Sequence, residues 1–270
     1  DRLAKLPIAD IEREHILQVL EPIWDTKTAT AERLRNNLER ILDLAEVMGL
    51  RNGSNPARWL GNLSHILPAP NKVSKVQHMK ALPVDELPSF MKRLRQIDSI
   101  AAKALRFAIL TCARSSQVRL AEWSEMDLEK RVWTVADHRM KQGKAHRVPL
   151  CDEALELLNS IKPDKAVGLV FLNINKPLSE NGMTSVIKKV MGLDVTQHGF
   201  RSTFKDWART HTRYPDEASE LALAHVNDDK TRAAYARDEL LELRGRMMDD
   251  WGEYCLNGKP TPAKVIKIKA

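Results

Sequence analysis

The sequence predicts a mainly α-helical protein with one small antiparallel β-sheet, divided into a small helical domain and a larger second domain. Apolar residues recur at helical spacing through most of the 270 residues. Three short runs between residues 125 and 150 break that spacing and have the composition of strands. A proline-rich, basic stretch near residue 70 lacks large apolar residues, which indicates a boundary between domains.

Two helices are expected at the start of the first domain. The first follows Asp10, and its apolar residues repeat every three or four positions, as in Ile16, Leu20 and Ile23. The second is expected over 28–49, ended by Gly49. Its buried side should comprise Leu34, Leu38, Ile41, Leu42, Leu44 and Ala45, leaving Arg33, Arg35 and Arg40 for solvent or DNA. A further helical stretch is expected from Asn55 to Leu67.

Residues 68–83 are predicted to form the linker between the domains. This segment holds three prolines and several lysines, a composition that favours an extended connection over a packed element. The first domain is therefore assigned to residues 1–67 and the second to 84–258. A basic tail, 259–270, carries four lysines and no acidic residue.

The second domain is predicted to begin with a long helix over 85–111 and a shorter one at about 115–122. Strands are expected at 125–128, 131–135 and 146–150, with a turn at 141–144 between the second and third. The remainder to residue 255 should be mostly helical, interrupted by a loop at 163–168. Its last helix, 238–255, is amphipathic and packs either on its own domain or on a neighbouring molecule.

Composition narrows the class of protein. With 43% hydrophobic residues the chain can bury a core, so general disorder is excluded. The 43 Lys and Arg exceed the 36 Asp and Glu, which favours a polyanionic partner, although a solvated basic surface gives the same balance. Cys112, Cys151 and Cys255 are far apart and lack zinc-ligand spacing. Without a signal peptide or a long apolar run, a reducing cytoplasm and no membrane are expected. The start at Asp1 suggests a fragment of a longer protein.

Six polar residues of the second domain form the candidate active site: Arg114, Lys141, His198, Arg201, His225 and Tyr235. Tyrosine can serve as a covalent nucleophile. Positioned cations stabilise the negative charge that spreads over the oxygens of a phosphodiester under attack. This set of residue types therefore suits phosphoryl transfer to a protein nucleophile.

Each of these residues alone also has a structural explanation. Arg114 lies between two predicted helices, where a guanidinium can bind an anion or hold carbonyl groups. His198 and Arg201 would share one face of a helix, but so short a pattern arises by chance. His225 fits a packed core histidine and Tyr235 a half-buried helical tyrosine. Lys141 fits a solvated turn.

Together, the order and spacing of the six residues resemble the tyrosine recombinases, or lambda-integrase-like family. Longer stretches carry the same resemblance to integrases of phages and genomic islands. They are "RLAEWSEMDL" after Arg114, "HGFRSTFKDWA" around His198, "ALAH" ending at His225 and "DKTRAAYARDELLELRGRMMDDWGEYC" around Tyr235. In front, "SNPARWLGNLSHILP" and "HMKALP" resemble the core-type DNA-binding domain. The resemblance covers nearly the whole chain.

By this resemblance, residues 1–67 form a helical core-binding domain and 84–258 a tyrosine-recombinase catalytic domain. Tyr235 would attack a DNA phosphate and form a 3′-phosphotyrosine, without metal or any other cofactor. Arg114 and Arg201 would clamp the non-bridging oxygens, and Lys141 would protonate the departing 5′-oxygen.

The same resemblance assigns His198 to proton transfer at Tyr235 and His225 to a hydrogen bond with the phosphate. Two departures stand out. The family's usual N-terminal arm-binding domain is expected to lie outside this sequence, and Gln117 occupies a position where Glu is common. Gln117 keeps a hydrogen-bonding side chain, but it could alter the orientation of Arg114.

The implied partners are double-stranded DNA attachment sites, which the two domains would clamp, and an accessory protein that sets direction or bends DNA. The chain would be a monomer when free and a homotetramer on DNA, acting at the nucleoid in the bacterial cytoplasm. Two rival functions remain open. One is a type IB topoisomerase, which relaxes supercoils as a monomer, and the other is a catalytically silent DNA-binding regulator.

Overall fold

The computed structural model describes residues 3–74, 80–140, 143–174, 176–225 and 239–258. The chain divides into two compact units, Asp1–His78 and Met79–Ala270. Within the described ranges, no helix combines the length and the apolar character needed to cross a membrane.

The first unit is built on two packed helices, α1 (Arg13–Trp24) and α2 (Thr28–Val47), with a short third helix, α3 (Pro70–Val73). Its core contains Ile16 and Leu20 of α1 and Leu42 of α2. The indole of Trp24 stacks on Trp59 at 5.7 Å between ring centroids and donates to the carbonyl of Pro68 at 2.9 Å. These contacts fix the end of α1 against the loop that follows α2.

Three predictions for this unit are wrong in detail. Ile41 and Leu44 are more than half exposed, because the buried positions of α2 form a narrower stripe than expected and these two lie about 100° beside it. Arg35 is buried instead of solvent-facing, and its guanidinium donates to the carbonyl of Ala57 at 3.3 Å. Residues 55–67 form turns and one 3-10 turn, Leu63–His65, where a helix was predicted.

The second unit contains eight described α-helices: α4 (Leu87–Arg95), α5 (Ile100–Thr111), α6 (Ser115–Arg119), α7 (Asp152–Ile161), α8 (Gly182–Ser185), α9 (Gly199–His211), α10 (Asp216–Ala222) and α11 (Glu239–Asn257). A π-helical turn, Val186–Val190, continues α8. The single helix predicted over 85–111 is in fact two, because the hydroxyl of Ser99 caps a new helix by accepting from the N–H of Ala102 at 3.2 Å.

A three-stranded antiparallel sheet of order β1-β2-β3 is formed by β1 (Met126–Asp127), β2 (Val132–Val135) and β3 (His146–Pro149). Trp133 pairs with Val148 in the register of β2 and β3, and both side chains are buried. The predicted fold class, mainly α with a small antiparallel sheet, is confirmed. A second hairpin, β4 (Leu172–Asn173) with β5 (Lys176–Pro177), lies in a stretch that was predicted to be mostly helical.

Helix α11 packs on its own unit, the first of the two interpretations above. Its Trp251 lies 5.2 Å from Phe204 and 5.0 Å from Trp207 of α9, measured between ring centroids. The Trp251 indole also donates to the carbonyl of Ile109 in α5 at 2.9 Å. This aromatic cluster joins α5, α9 and α11, and the ends of the first two helices carry candidate site residues.

Candidate active site

Arg114 lies in the sharp junction between α5 and α6. Cys112 ends α5 in the left-handed conformation, with φ of 53°, so the chain turns before α6 begins. The backbone N–H of Arg114 donates to Oε1 of Gln117 at 2.7 Å. Nε2 of the same Gln117 lies 2.9 Å from Sδ of Met140. Gln117 therefore uses its hydrogen-bonding side chain on the backbone of Arg114 and links Arg114 to the residue that precedes Lys141.

His198 and Arg201 are positioned by a close backbone approach at the start of α9. A Cβ on Gly199 would lie only 2.2 Å from the carbonyl oxygen of Lys80, so only glycine fits there. One helical turn later, the hydroxyl of Thr203 donates to the carbonyl of Leu82 at 2.6 Å. The segment 80–82 therefore holds the N-terminal turn of α9 in place.

Three consecutive carbonyl groups, those of residues 222–224, connect α10 to three basic side chains of the site. His146 hydrogen-bonds the backbone at Ala222, Nη2 of Arg201 donates to Leu223 at 2.6 Å, and Nη2 of Arg114 donates to Ala224 at 3.4 Å. Ala224 has φ of 49°, which turns the chain sharply out of α10. Arg201 also donates to the carbonyl of Cys112 in the α5–α6 junction. Both arginines therefore bind backbone carbonyl groups, which is the structural role that the sequence left open for Arg114. Because the carbonyls they bind are adjacent in the chain, the two guanidinium groups also lie close together.

His225 is contacted at both ring nitrogens. Its Nε2 lies 3.3 Å from Nη2 of Arg201, and its Nδ1 lies 2.6 Å from Oε2 of Glu220. Four of the six predicted site residues, Arg114, His198, Arg201 and His225, therefore surround one place in the second unit. The other two, Lys141 and Tyr235, lie outside the described residues.

The electrostatics of the site favour an anion. Burial, with Arg114 nearby, lowers the pKa of Arg201 to about 10, so its guanidinium stays charged at neutral pH. Its buried Nε has no hydrogen-bond partner among the described residues. Partial burial and the charges of Arg201 and Arg114 lower the pKa of His198 below its usual range, which leaves a neutral imidazole beside two cations.

Two further basic residues of this region were missed as site residues by the sequence analysis. Burial and the charge of Arg244 lower the pKa of His146 to about 4, so this ring is neutral at pH 7. Arg244 of α11 is itself buried and donates to the carbonyl of Arg147. His146 lies at the start of the strand predicted over 146–150, and neither residue carries a motif of its own. Only the packing of β3 against α10 and α11 reveals them.

The two tyrosines other than Tyr235 are hydrogen-bonded or buried within the second unit. Of the three tyrosines in the sequence, Tyr214 donates its hydroxyl to Asp250 at 2.7 Å, and burial with that carboxylate raises its pKa well above 10. Tyr254 is 2% exposed and stacks in the aromatic cluster of α9 and α11. Neither phenol is placed to act as an exposed nucleophile.

No group of three or more His, Cys, Asp or Glu side chains that could hold a metal ion occurs within the described part of the chain. The three cysteines are buried and unpaired by disulfides, and burial raises the thiol pKa values.

Sequence comparison identifies two family matches that together cover most of the chain. Residues 80–240 match the Phage integrase family, and residues 1–62 match the Phage integrase central domain. The integrase of Shigella phage Sf6 is 32% identical over 262 residues, a match that covers 92% of this chain and 65% of that protein. The prophage integrase IntS of Escherichia coli is also 32% identical, with the same coverage. The chain thus spans just under two thirds of the length of these relatives.

Solved structures share the fold at lower sequence identity. The Tn1549 transposon integrase in complex with circular intermediate DNA aligns with a TM-score of 0.60 and 17% identity, covering 92% of this chain and 88% of that chain. A lambda integrase dimer bound to a COC′ core site aligns with a TM-score of 0.61 and 20% identity, covering 83% of this chain and 82% of the other. With a family match over more than half of its residues, the chain belongs to the phage integrase family of tyrosine recombinases.

Proposed function

We propose that this chain is the DNA-cutting and DNA-rejoining part of a site-specific recombinase that integrates or excises a mobile element. The observation that carries the proposal is the convergence of Arg114 and Arg201, far apart in the sequence, on the adjacent carbonyls just before His225. Two guanidiniums beside two imidazoles suit a dianionic phosphorane-like transition state better than a neutral substrate. Family membership supports the same function.

In the proposed reaction, the Tyr235 hydroxyl attacks the scissile phosphorus and the bond to the 5′-oxygen breaks. His198 takes the phenolic proton, for which its lowered pKa keeps it available as a neutral base. Lys141 gives a proton to the departing 5′-oxygen. The energy of the phosphodiester is kept in the 3′-phosphotyrosine, so attack by a 5′-hydroxyl of a partner strand reverses every step and joins the new strands.

The cations supply the stabilisation that a phenol needs. A free tyrosine has a pKa of about 10 and is almost fully protonated at neutral pH. One well-placed donor to the charged transition state contributes on the order of 3 kcal/mol. Arg114, Arg201 and His225 are therefore proposed to supply a large part of the stabilisation that cleavage requires.

Double-stranded DNA is the proposed substrate, bound as attachment sites in the bacterial cytoplasm. Residues 1–67 are proposed to bind core-type DNA, 68–83 to serve as the linker and 84–258 to hold the catalytic groups. Four copies are proposed to assemble on DNA, since exchange joins two duplexes, and an accessory protein to set direction. A solved lambda integrase tetramer bound to a Holliday junction supports assembly of this kind.

Covalent capture of DNA tests the proposal. The protein is incubated with sheared DNA of the genome that encodes it, and DNA that stays attached in detergent is sequenced and rebuilt as a nicked duplex. We expect Tyr235→Phe to abolish the adduct while retaining DNA binding. The control, Tyr214→Phe, should retain both, because that phenol is bonded to Asp250.

The outcomes also separate the rival functions. Adducts that persist in Tyr235→Phe, or binding without any adduct in the unaltered protein, would contradict the proposal, and the second result would indicate a regulator. Relaxation of supercoiled DNA without strand exchange between two recovered sites would indicate a topoisomerase.

A further inference from the structure

Glu220 brings a carboxylate to the candidate site from the last turn of α10. Its Oε2 lies 2.6 Å from Nδ1 of His225, and its side chain is about 29% exposed. Burial alone would raise the pKa of this carboxyl, but hydrogen bonds with Lys205 and His225 lower it below its usual value. An ionised carboxylate only accepts hydrogen bonds, so Nδ1 of His225 must carry the proton.

The contact at the other ring nitrogen agrees with this proton position. Nη2 of Arg201 lies 3.3 Å from Nε2 of His225, and a guanidinium only donates. Nε2 therefore presents its lone pair in this structure. Both contacts select one neutral tautomer, with the proton on the side of Glu220 and the lone pair on the side of Arg201.

A buried lysine fixes Glu220 in turn. Nζ of Lys205, in α9, lies 2.5 Å from Oε1 of Glu220, 2.6 Å from Oγ of Ser219 and 2.8 Å from Oδ1 of Asp216. Three acceptors match the three N–H groups of an ammonium. Lys205 is itself only 9% exposed, and its three contacts tie α10 to α9 beside the site.

We infer that Glu220 is a positioning residue that fixes the proton of His225 on Nδ1 and keeps Nε2 directed at the anion site beside Arg201. The inference rests on the proposed function, because the phosphate is the group that Nε2 would contact. When the phosphate enters, a proton from solvent on Nε2 makes the ring a donor to a non-bridging oxygen. The carboxylate on the opposite side then balances the imidazolium charge, as in catalytic triads.

Glu220→Gln is the diagnostic change, because it keeps the size of the side chain but alters its hydrogen bonding. The ammonium of Lys205 requires an acceptor, so the amide oxygen turns toward it and the amide NH2 faces His225. Nδ1 must then lose its proton, and the neutral ring carries the proton on Nε2. Asp216→Asn is the matched control, since it removes another carboxylate from Lys205 without contacting His225.

Ring-nitrogen 15N chemical shifts test the tautomer in the protein without DNA. The signal of His225 is assigned by its loss in His225→Gln. We expect a protonated Nδ1 in the unaltered protein and in Asp216→Asn, and an unprotonated Nδ1 in Glu220→Gln. An unprotonated Nδ1 in the unaltered protein would overturn the inference, whatever the protein does to DNA.

Single-turnover adduct formation on the recovered nicked duplex tests the consequence for the reaction. Loss of a carboxylate that orients a functional histidine costs roughly 10–100-fold in comparable metal sites. Because Glu220 acts only through His225, we expect the lower end of that range, a slowing of about tenfold, in Glu220→Gln and less than about twofold in Asp216→Asn. A changed tautomer without slower cleavage, or slower cleavage without a changed tautomer, would overturn the inference. If the unaltered protein forms no adduct, the proposed function fails, and the ring-nitrogen shifts still decide whether Glu220 positions His225.

Discussion

The two sides of the candidate site are held by different kinds of interaction. On the α9 side, the backbone of Gly199 lies against Lys80, and the hydroxyl of Thr203 bonds Leu82. On the α10 side, the carbonyls of residues 222–224 receive hydrogen bonds from the side chains of His146, Arg201 and Arg114. One side is fixed by the close packing of main chain, and the other by polar side chains that reach it from three other elements.

The two site histidines differ in the same way. His198, on the α9 side, is exposed, and its ring has no hydrogen-bond partner among the described residues. His225, on the α10 side, is contacted at both nitrogens. A ring without fixed partners can exchange protons on either nitrogen, whereas a ring in one tautomer suits a hydrogen bond of defined direction. The difference matches proton transfer for His198 and phosphate binding for His225.

Replacement of each site histidine by Gln should give the largest difference in cleavage rate between the two sides of the site. Gln can donate a hydrogen bond but cannot move a proton, so His198→Gln should slow single-turnover adduct formation by about 10²–10⁴. His225→Gln retains a donor and should lose roughly tenfold or less, the value of one net hydrogen bond. Equal losses in the two variants would remove the distinction between the two sides.

Arg114 and Arg201 connect the two sides of the site. Their replacement by Ala should slow cleavage to a similar extent but lower the free energy of unfolding by different amounts. Arg114→Ala and Arg201→Ala should each slow cleavage by about 10²–10³ while DNA affinity, measured by titration, falls far less. Arg201 is only 5% exposed, and its loss leaves the carbonyls of Cys112 and Leu223 without this donor. Its removal should therefore lower the free energy of unfolding by about 1–3 kcal/mol more than removal of Arg114. Equal loss of binding and cleavage would mark both as ordinary phosphate anchors.

The main-chain packing of the α9 side can be tested at one glycine. Gly199→Ala places a Cβ 2.2 Å from the carbonyl oxygen of Lys80 and should lower the free energy of unfolding by about 1–3 kcal/mol, measured by urea denaturation. Gly245→Ala is the control, because no atom lies within 4 Å of its Cβ, and it should leave α11 unchanged or up to about 1 kcal/mol more stable. A neutral Gly199→Ala would show that the approach of residue 80 does not hold this side.

The contact of His146 with the α10 side should make the free energy of unfolding depend on pH. Its pKa is about 4 in the folded protein against about 6.5 for an unfolded histidine. Its contribution is therefore fully present above pH 6.5 and is lost as the pH falls from 6.5 to 4. Because the ring is partly exposed, we expect on the order of 1–2 kcal/mol.

The measurement is the free energy of unfolding at pH 7 and pH 5 for His146→Gln and for the exposed control His138→Gln. The decrease between the two pH values should be smaller in His146→Gln than in the unaltered protein and unchanged in His138→Gln. An unaltered decrease in His146→Gln would show that this ring is not held neutral.

Much of the architecture could be predicted from local patterns. The apolar spacing of α5 and α9 and the strand pair containing Trp133 and Val148 follow from sequence alone, because each depends on neighbours in the chain. The prediction of one helix over 85–111 was wrong because Ser99 caps a new helix within a continuous pattern of apolar residues.

The candidate residues could be chosen by motif, but their contacts could not. Glu220 and His225 are five residues apart, which is not a spacing that meets on a helix. They meet because α10 ends at Ala222 and the chain turns at Ala224, which has a positive φ. Alanine rarely adopts this conformation, so the sequence does not predict the turn. Cys112 makes the corresponding turn before Arg114. The contacts of both arginines therefore depend on two turns that the sequence does not signal.

The side chain to which the cut DNA is attached identifies the nucleophile. Trypsin should release residues 233–237 from the covalent adduct, since Arg232 and Arg237 flank Tyr235, and mass spectrometry then locates the nucleotide. We expect a nucleotide joined through its 3′-phosphate to Tyr235. A nucleotide on Tyr214 or on any other side chain, or cut DNA with no nucleotide on the protein, would contradict it.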